Sequence, residues 1–155
     1  MILVTGGSGC LGTALKPLLP SAWFPTRQEL DLRKPWIKSE ITAAILAAGT
    51  KGFAPCEGNA EAFRADVDGN VWLCKAILSK GGYILFISTD AVEQAAGAAY
   101  ARNRLLVEQA LWFRPRCAVL RPAKFGPAEA PELAKDCIHI LSHHLEGVFS
   151  WKPQS

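Results

Sequence analysis

The chain has 155 residues, half of them apolar and a fifth charged, with a formal net charge of +3 from 17 Lys and Arg against 14 Asp and Glu. That is one domain's worth of chain with enough apolar residues for a core, which argues against a disordered chain. The cations are scattered and no apolar stretch approaches the roughly 20 residues of a membrane span, so neither nucleic acid nor membrane is an expected partner.

In chain order, residues 1–5 (M-I-L-V-T) form an apolar run stopped by glycines, the pattern of a strand buried on both faces of a parallel sheet. Leu11, Ala14, Leu15 and Leu18 recur at helical spacing, in a helix that Pro17 and Pro20 keep short. An apolar patch at Ala22, Trp23 and Phe24 leads to a polar loop at 26–29. Residues 41–48 (I-T-A-A-I-L-A-A) hold enough alanine for a helix, but the run is brief and closed by Gly49, so a strand is preferred. Asn59 is placed to cap a long helix reaching about Lys80 and ended by Gly81 and Gly82. Its expected inward stripe is Phe63, Val67, Val71, Cys74 and Leu78. Gly69 inside that helix costs roughly 1 kcal/mol relative to Ala, which implies close packing on a neighbour.

Residues 83–88 (Y-I-L-F-I-S) are the clearest strand. A helix follows over about 99–112, then a strand at 117–121, a last helix at 131–145 and a final short strand at 147–151. Residues 127–131 are the only linker-like stretch. Strands alternating with helices imply a parallel sheet with right-handed crossovers. The five cysteines, at 10, 56, 74, 117 and 137, form no C-x-x-C pair and read as buried thiols of a reducing compartment. No basic leader precedes the first apolar residues, so no signal peptide is expected and the cytoplasm is the expected location. His139 and His143 lie four apart without the intervening Glu of a zinc-protease pair, so they read as a solvated helix side and no metal site is expected.

The chemistry-bearing motif is T-G-G-S-G-C-L-G at 5–12, which places T-G-x-x-G-x-x-G between the first strand and the first helix. Gly6 allows the tight turn, Gly9 lets the backbone approach a diphosphate, and Gly12 lets helix and sheet pack closely. Free amides at the helix start would then hold the phosphates. The placement predicts a dinucleotide, NADP or NAD, with Gly6, Ser8, Gly9, Cys10, Leu11 and Gly12 as its contacts. No acid follows Trp23-Phe24-Pro25 at once to select NAD; Arg27 stands there, either as a solvated loop cation or facing a 2′-phosphate, and the reading leans to NADP.

From here the chain resembles the extended short-chain dehydrogenase/reductases, and within them the dTDP-4-dehydrorhamnose reductase and nucleotide-sugar epimerase branches. The likeness is carried in order by the glycine turn, R-Q-E-L-D-L at 27–32, A-A-G-T at 47–50, A-D-V-D-G-N at 65–70, I-S-T-D at 87–90, Y-A-R-N-R-L-L-V-E-Q-A at 100–110 and L-R-P-A-K-F-G-P at 120–127. It implies a Rossmann-type α/β fold, a doubly wound parallel sheet in a single reduced domain lacking most of the substrate lobe. The expected division is a dinucleotide-binding domain at 1–127, with a helix and short strand at 128–155 packed on it. The resemblance also implies that Asp31 and Leu32 lie beside the adenine, that Ala47, Ala48 and Thr50 line the diphosphate and ribose, that Thr89 bonds a substrate carbonyl, and that Tyr100 protonates a ketone oxygen as hydride arrives.

Two departures bear on that chemistry. Where the family has Y-x-x-x-K, Arg104 follows Tyr100; it supplies charge for a tyrosinate, but its planar fork is a poor substitute for an ammonium that relays protons. Asp66 replaces the active-site helix asparagine, counts among the cofactor-side residues, and puts a negative charge near Tyr100. Two functions are therefore expected in competition: a reductase of a nucleotide-linked keto sugar, or a catalytically impaired dinucleotide-binding module serving as sensor or partner subunit. The five tryptophans read as core, with a homo-oligomer formed through Trp112 or Trp151 if the missing lobe leaves apolar surface bare.

Overall fold

A computed structural model describes residues 1–95 and 97–145; the strand expected at 147–151, and Trp151 with it, lie outside the described residues. β1 (Ile2–Thr5), β2 (Ala43–Leu46), β3 (Tyr83–Ile87) and β4 (Cys117–Leu120) form one parallel sheet in that order. The apolar patch at 22–24 contributes one parallel bridge, Trp23 beside Leu3, in which Trp23 N–H donates to Ile2 O at 2.8 Å and Val4 N–H to Trp23 O at 2.9 Å. Since β2 occupies the opposite edge of β1, the chain visits both edges of β1 in turn. The carboxyl ends of β1 and β2 therefore flank a topological switch point, where open α/β sheets leave a crevice.

Successive strand side chains enter two cores. Val4, Ala43, Ile45, Leu85 and Ile87 meet Leu11 and Leu15 of α1 (Cys10–Leu15) and Leu133, Cys137, Ile138 and Leu141 of α6 (Ala130–His144). Leu3, Ala44, Leu46, Ile84 and Phe86 meet Leu73, Cys74 and Ile77 of α3 (Asn70–Ser79) and Val107 and Leu111 of α5 (Ala99–Leu111). Helices on both faces make this a doubly wound Rossmann-type sheet. Burial on both faces is why the strands read as unbroken apolar runs.

The long helix after Asn59 changes pitch on the way. Asn59 Oδ1 accepts the Ala62 N–H at 3.0 Å and caps α2 (Ala60–Phe63), which passes through a π-helical stretch at Arg64–Gly69 into α3. The wider turn rotates the helix face and corrects the expected stripe: Phe63 is exposed and Val71 and Leu78 are half-buried, while Ala62, Asp66, Asn70, Leu73 and Ile77 join Val67 and Cys74 inside. Gly69 does permit a close approach, because a Cβ there would collide with the Leu32 carbonyl.

Three further expectations change. Residues 127–131 are not a linker: Gly126 N–H donates to Glu129 Oε2 at 2.9 Å and buried Ala130 opens α6. A short helix not foreseen, α4 (Ala91–Gln94), follows β3. Trp36, Trp72 and Trp112 do not build the core, since all three are exposed, whereas half-buried Trp23 packs against it. All five thiols are free, and no helix among the described residues is long and apolar enough to cross a membrane.

Candidate functional site

The switch point opens into a crevice of about 750 Å³, a volume suited to a cofactor. Gly6 turns the chain out of β1 at φ +78°, a conformation that costs any other residue strain, and its carbonyl accepts the Gly9 N–H at 3.0 Å. Gly12 sits where a Cβ would run into the Gly6 carbonyl and the Gly7 backbone, so the first helical turn lies directly on the glycine loop. Across the gap, the buried Thr5 hydroxyl accepts both the Ala47 and Ala48 N–H groups at 3.1 Å, fixing the end of β2 against the end of β1. The lining brings together Gly6, Ser8, Gly9, Cys10, Leu11, Gly12, Arg27, Asp31, Leu32, Ala47, Ala48, Thr50 and Asp66.

The acids of the crevice are already engaged. Asp66, 4 % exposed, accepts the Thr50 N–H on both carboxylate oxygens at 3.1 Å. Asp31 accepts Arg33 Nη2 at 2.8 Å, Arg33 Nε at 3.0 Å and the Arg33 backbone N–H at 2.9 Å. Those bonds hold the Asp31 carboxyl at about 2, below its ordinary 3.8. A carboxylate depressed in the fold contributes stability above the unfolded value and loses it as pH falls through the folded one, so this contribution fades between about 4 and 2. Arg33→Ala should return the Asp31 titration toward 3.8 in a carboxyl NMR experiment. Titration that stays near 2 would show that Arg33 is not the cause.

Thr89, Tyr100 and Arg104 do not line the crevice. Arg104 is buried behind its wall, with Nη1 donating to Ala48 O at 3.4 Å and the guanidinium filling the place where a Cβ on Gly49 would be. Its guanidinium carbon lies 5.7 Å from the Tyr100 ring centre and 5.9 Å from that of Phe86. Phe53 covers Tyr100 from another side in an edge contact at 5.5 Å. The Thr89 hydroxyl accepts the Ala91 N–H at 3.2 Å.

Residues absent from the sequence reading complete the region. Lys51 and Lys16 line the crevice. Glu57 accepts the Ala99 N–H at 2.8 Å at the start of α5. Behind the strand ends, buried Glu108 accepts the Ser88 hydroxyl at 2.5 Å and Arg121 Nε and Nη2 at 3.0 and 2.6 Å, while Arg121 Nη1 donates to Glu93 at 2.8 Å. No local pattern marks these residues, because their partners are distant in sequence.

No protein-family model and no curated protein matches the chain. Solved structures do. A hypothetical dTDP-4-dehydrorhamnose reductase from Sulfolobus tokodaii superposes with a TM-score of 0.77 at 21% identity, over 92% of this chain and 72% of that one. A dTDP-4-dehydrorhamnose reductase from Clostridium acetobutylicum gives 0.78 at 18% identity, over 99% and 74%. RMD from Pseudomonas aeruginosa, complexed with NADPH, gives 0.61 at 21%, over 97% and 64%. Other structures with this fold hold NADP, or NAD together with UDP. The chain thus has the Rossmann-type fold of dTDP-4-dehydrorhamnose reductases and related short-chain dehydrogenase/reductases, over only part of their length.

Proposed function

We propose that this chain binds a nicotinamide dinucleotide in the switch-point crevice, with NADP favoured over NAD, as a reductase-like protein whose substrate class is a nucleotide-linked keto sugar. The observation that carries the reading is the glycine turn itself: backbone bare of side chains of its own at Gly6, Gly7 and Gly9, lining a cofactor-sized crevice. Asp31 and Leu32 would flank the adenine, while Ala47, Ala48 and Thr50 would line the diphosphate and ribose. The NADP preference rests on charge. Asp31, on the adenine side, is already bound to Arg33, whereas Arg27 makes no ion pair among the described residues and lines the crevice.

The bound dinucleotide would supply hydride; the chain's own part in turnover would be a proton delivered by the Tyr100 hydroxyl and a carbonyl held by Thr89. A second reading, a binding module without turnover, is favoured by one observation: Arg104 is spent on Ala48 O and a ring face. Titration with NADPH and NADH, followed by nicotinamide fluorescence, tests the binding, and saturable binding with NADPH tighter is expected. Turnover of a nucleotide keto sugar that vanishes in Tyr100→Phe while binding survives supports the enzyme. Binding without turnover supports the module, and binding of neither coenzyme overturns both.

A further inference from the structure

Lys51 follows the A-A-G-T segment directly, on the far wall of the crevice from the glycine turn. Its side chain reaches back across the gap: Nζ lies 3.2 Å from the point a Cβ on Gly9 would occupy. The ammonium thus hangs over the bare backbone of the turn, in the space that the absence of a side chain keeps open. Among the described residues Lys51 makes no ion pair and no hydrogen bond. The carboxylates that line the crevice are turned elsewhere, Asp66 to the Thr50 amide, Asp31 to Arg33, and Glu61 to Arg33 and Arg64. An ammonium in that position lacks only an anion.

We infer that Lys51 is a binding residue of the crevice whose ammonium grips the same diphosphate that the glycine turn cradles; the inference rests on the dinucleotide reading above. Gly9 and Lys51 would then act as two jaws, one offering backbone and the other a mobile charge. A charge-assisted hydrogen bond to phosphate oxygen is stronger than a neutral one. Lys51 is exposed, so its long stem is free to follow the ligand as it settles. The division of labour is specific: Lys51 serves the diphosphate common to both coenzymes, while Arg27, on the adenosine side, serves the 2′-phosphate of one.

The test is fluorescence titration of the full chain with NADH and with NADPH, at low and at high salt, comparing the native chain with Lys51→Gln and Lys51→Arg. Loss of one charge-assisted bond at a partly solvated site should weaken both coenzymes by about tenfold, and by the same factor. Lys51→Arg should recover most of the affinity, and the salt dependence should be shallower in Lys51→Gln. Thermal unfolding of the variants without ligand should be unchanged. A native chain that binds while Lys51→Gln binds equally well overturns the inference and leaves the dinucleotide reading standing. Weakening of NADPH alone also overturns it, because that would put Lys51 on the 2′-phosphate. A native chain that binds neither coenzyme overturns the underlying reading, and the inference with it.

Discussion

Gly9→Ala should leave the chain folded yet bind coenzyme at least about tenfold more weakly, while Gly12→Ala, three residues on, should lose roughly 3 kcal/mol of stability. The two glycines stand in one motif, but different atoms surround them. At Gly12 the added methyl meets the Gly6 carbonyl oxygen and the Gly7 backbone at contact distances no packed structure holds, so the turn and helix must separate. Backbone cannot rotate aside as a side chain does, which puts the cost at the upper end of overpacking. At Gly9, φ is −77°, open to any residue, and the nearest neighbour is the far end of Lys51. Alanine there is a poorer helix cap than glycine but restricts the unfolded chain, two effects of about 0.5–1 kcal/mol that oppose each other. What it does fill is the approach to the diphosphate. Urea unfolding and fluorescence titration of both variants check this; equal stability losses would mean that Gly9 is also a packing glycine.

That contrast marks how far the sequence carries. The spacing of Gly6, Gly9 and Gly12 between an apolar run and a helical pattern is a local constraint, legible without a structure. So were the Asn59 cap, the strand at Ala43–Leu46 and the need for a neighbour against Gly69. The face of the following helix was misread because periodicity assumes one pitch. The π stretch at Arg64–Gly69 changes the hydrogen-bond register, so Phe63 turns to solvent and Asp66 turns inward.

The site follows the same rule. Tyr100 and Arg104 share a helix face by spacing alone, but what Arg104 does depends on Gly49 leaving room for its guanidinium 55 positions away in sequence (104 − 49). Lys51 carries no signature because it acquires its role from the fold, a turn across the crevice; Thr5, though it opens the glycine motif, owes its bonds to a neighbouring strand end. The tryptophans show the reverse error. Apolar character placed them in the core, yet Trp36, Trp72 and Trp112 stand exposed and Trp23, beside β1, packs against the core only half-buried.

Arg121→Met should cost about 3 kcal/mol, because it strands a carboxylate rather than because it removes an ion pair. Glu108 is 2 % exposed, and in the native chain Arg121 meets it through Nε and Nη2 while Ser88 donates to one oxygen. Without the guanidinium, one hydroxyl remains to satisfy a buried negative charge. The Arg121 side chain is itself 31% exposed, so some water reaches the gap, which sets the expectation at the lower end of the range for broken buried pairs. The outer pair, Arg121 with exposed Glu93, should matter little, and Glu93→Ala should fall within about 0.5 kcal/mol of the native chain. Pairing Arg121→Met with Glu108→Leu should recover most of the loss, since apolar groups need no partner. Urea unfolding of the three variants decides it: a double variant no more stable than Arg121→Met would mean that the arginine acts by packing β4 against α5, not by neutralising Glu108.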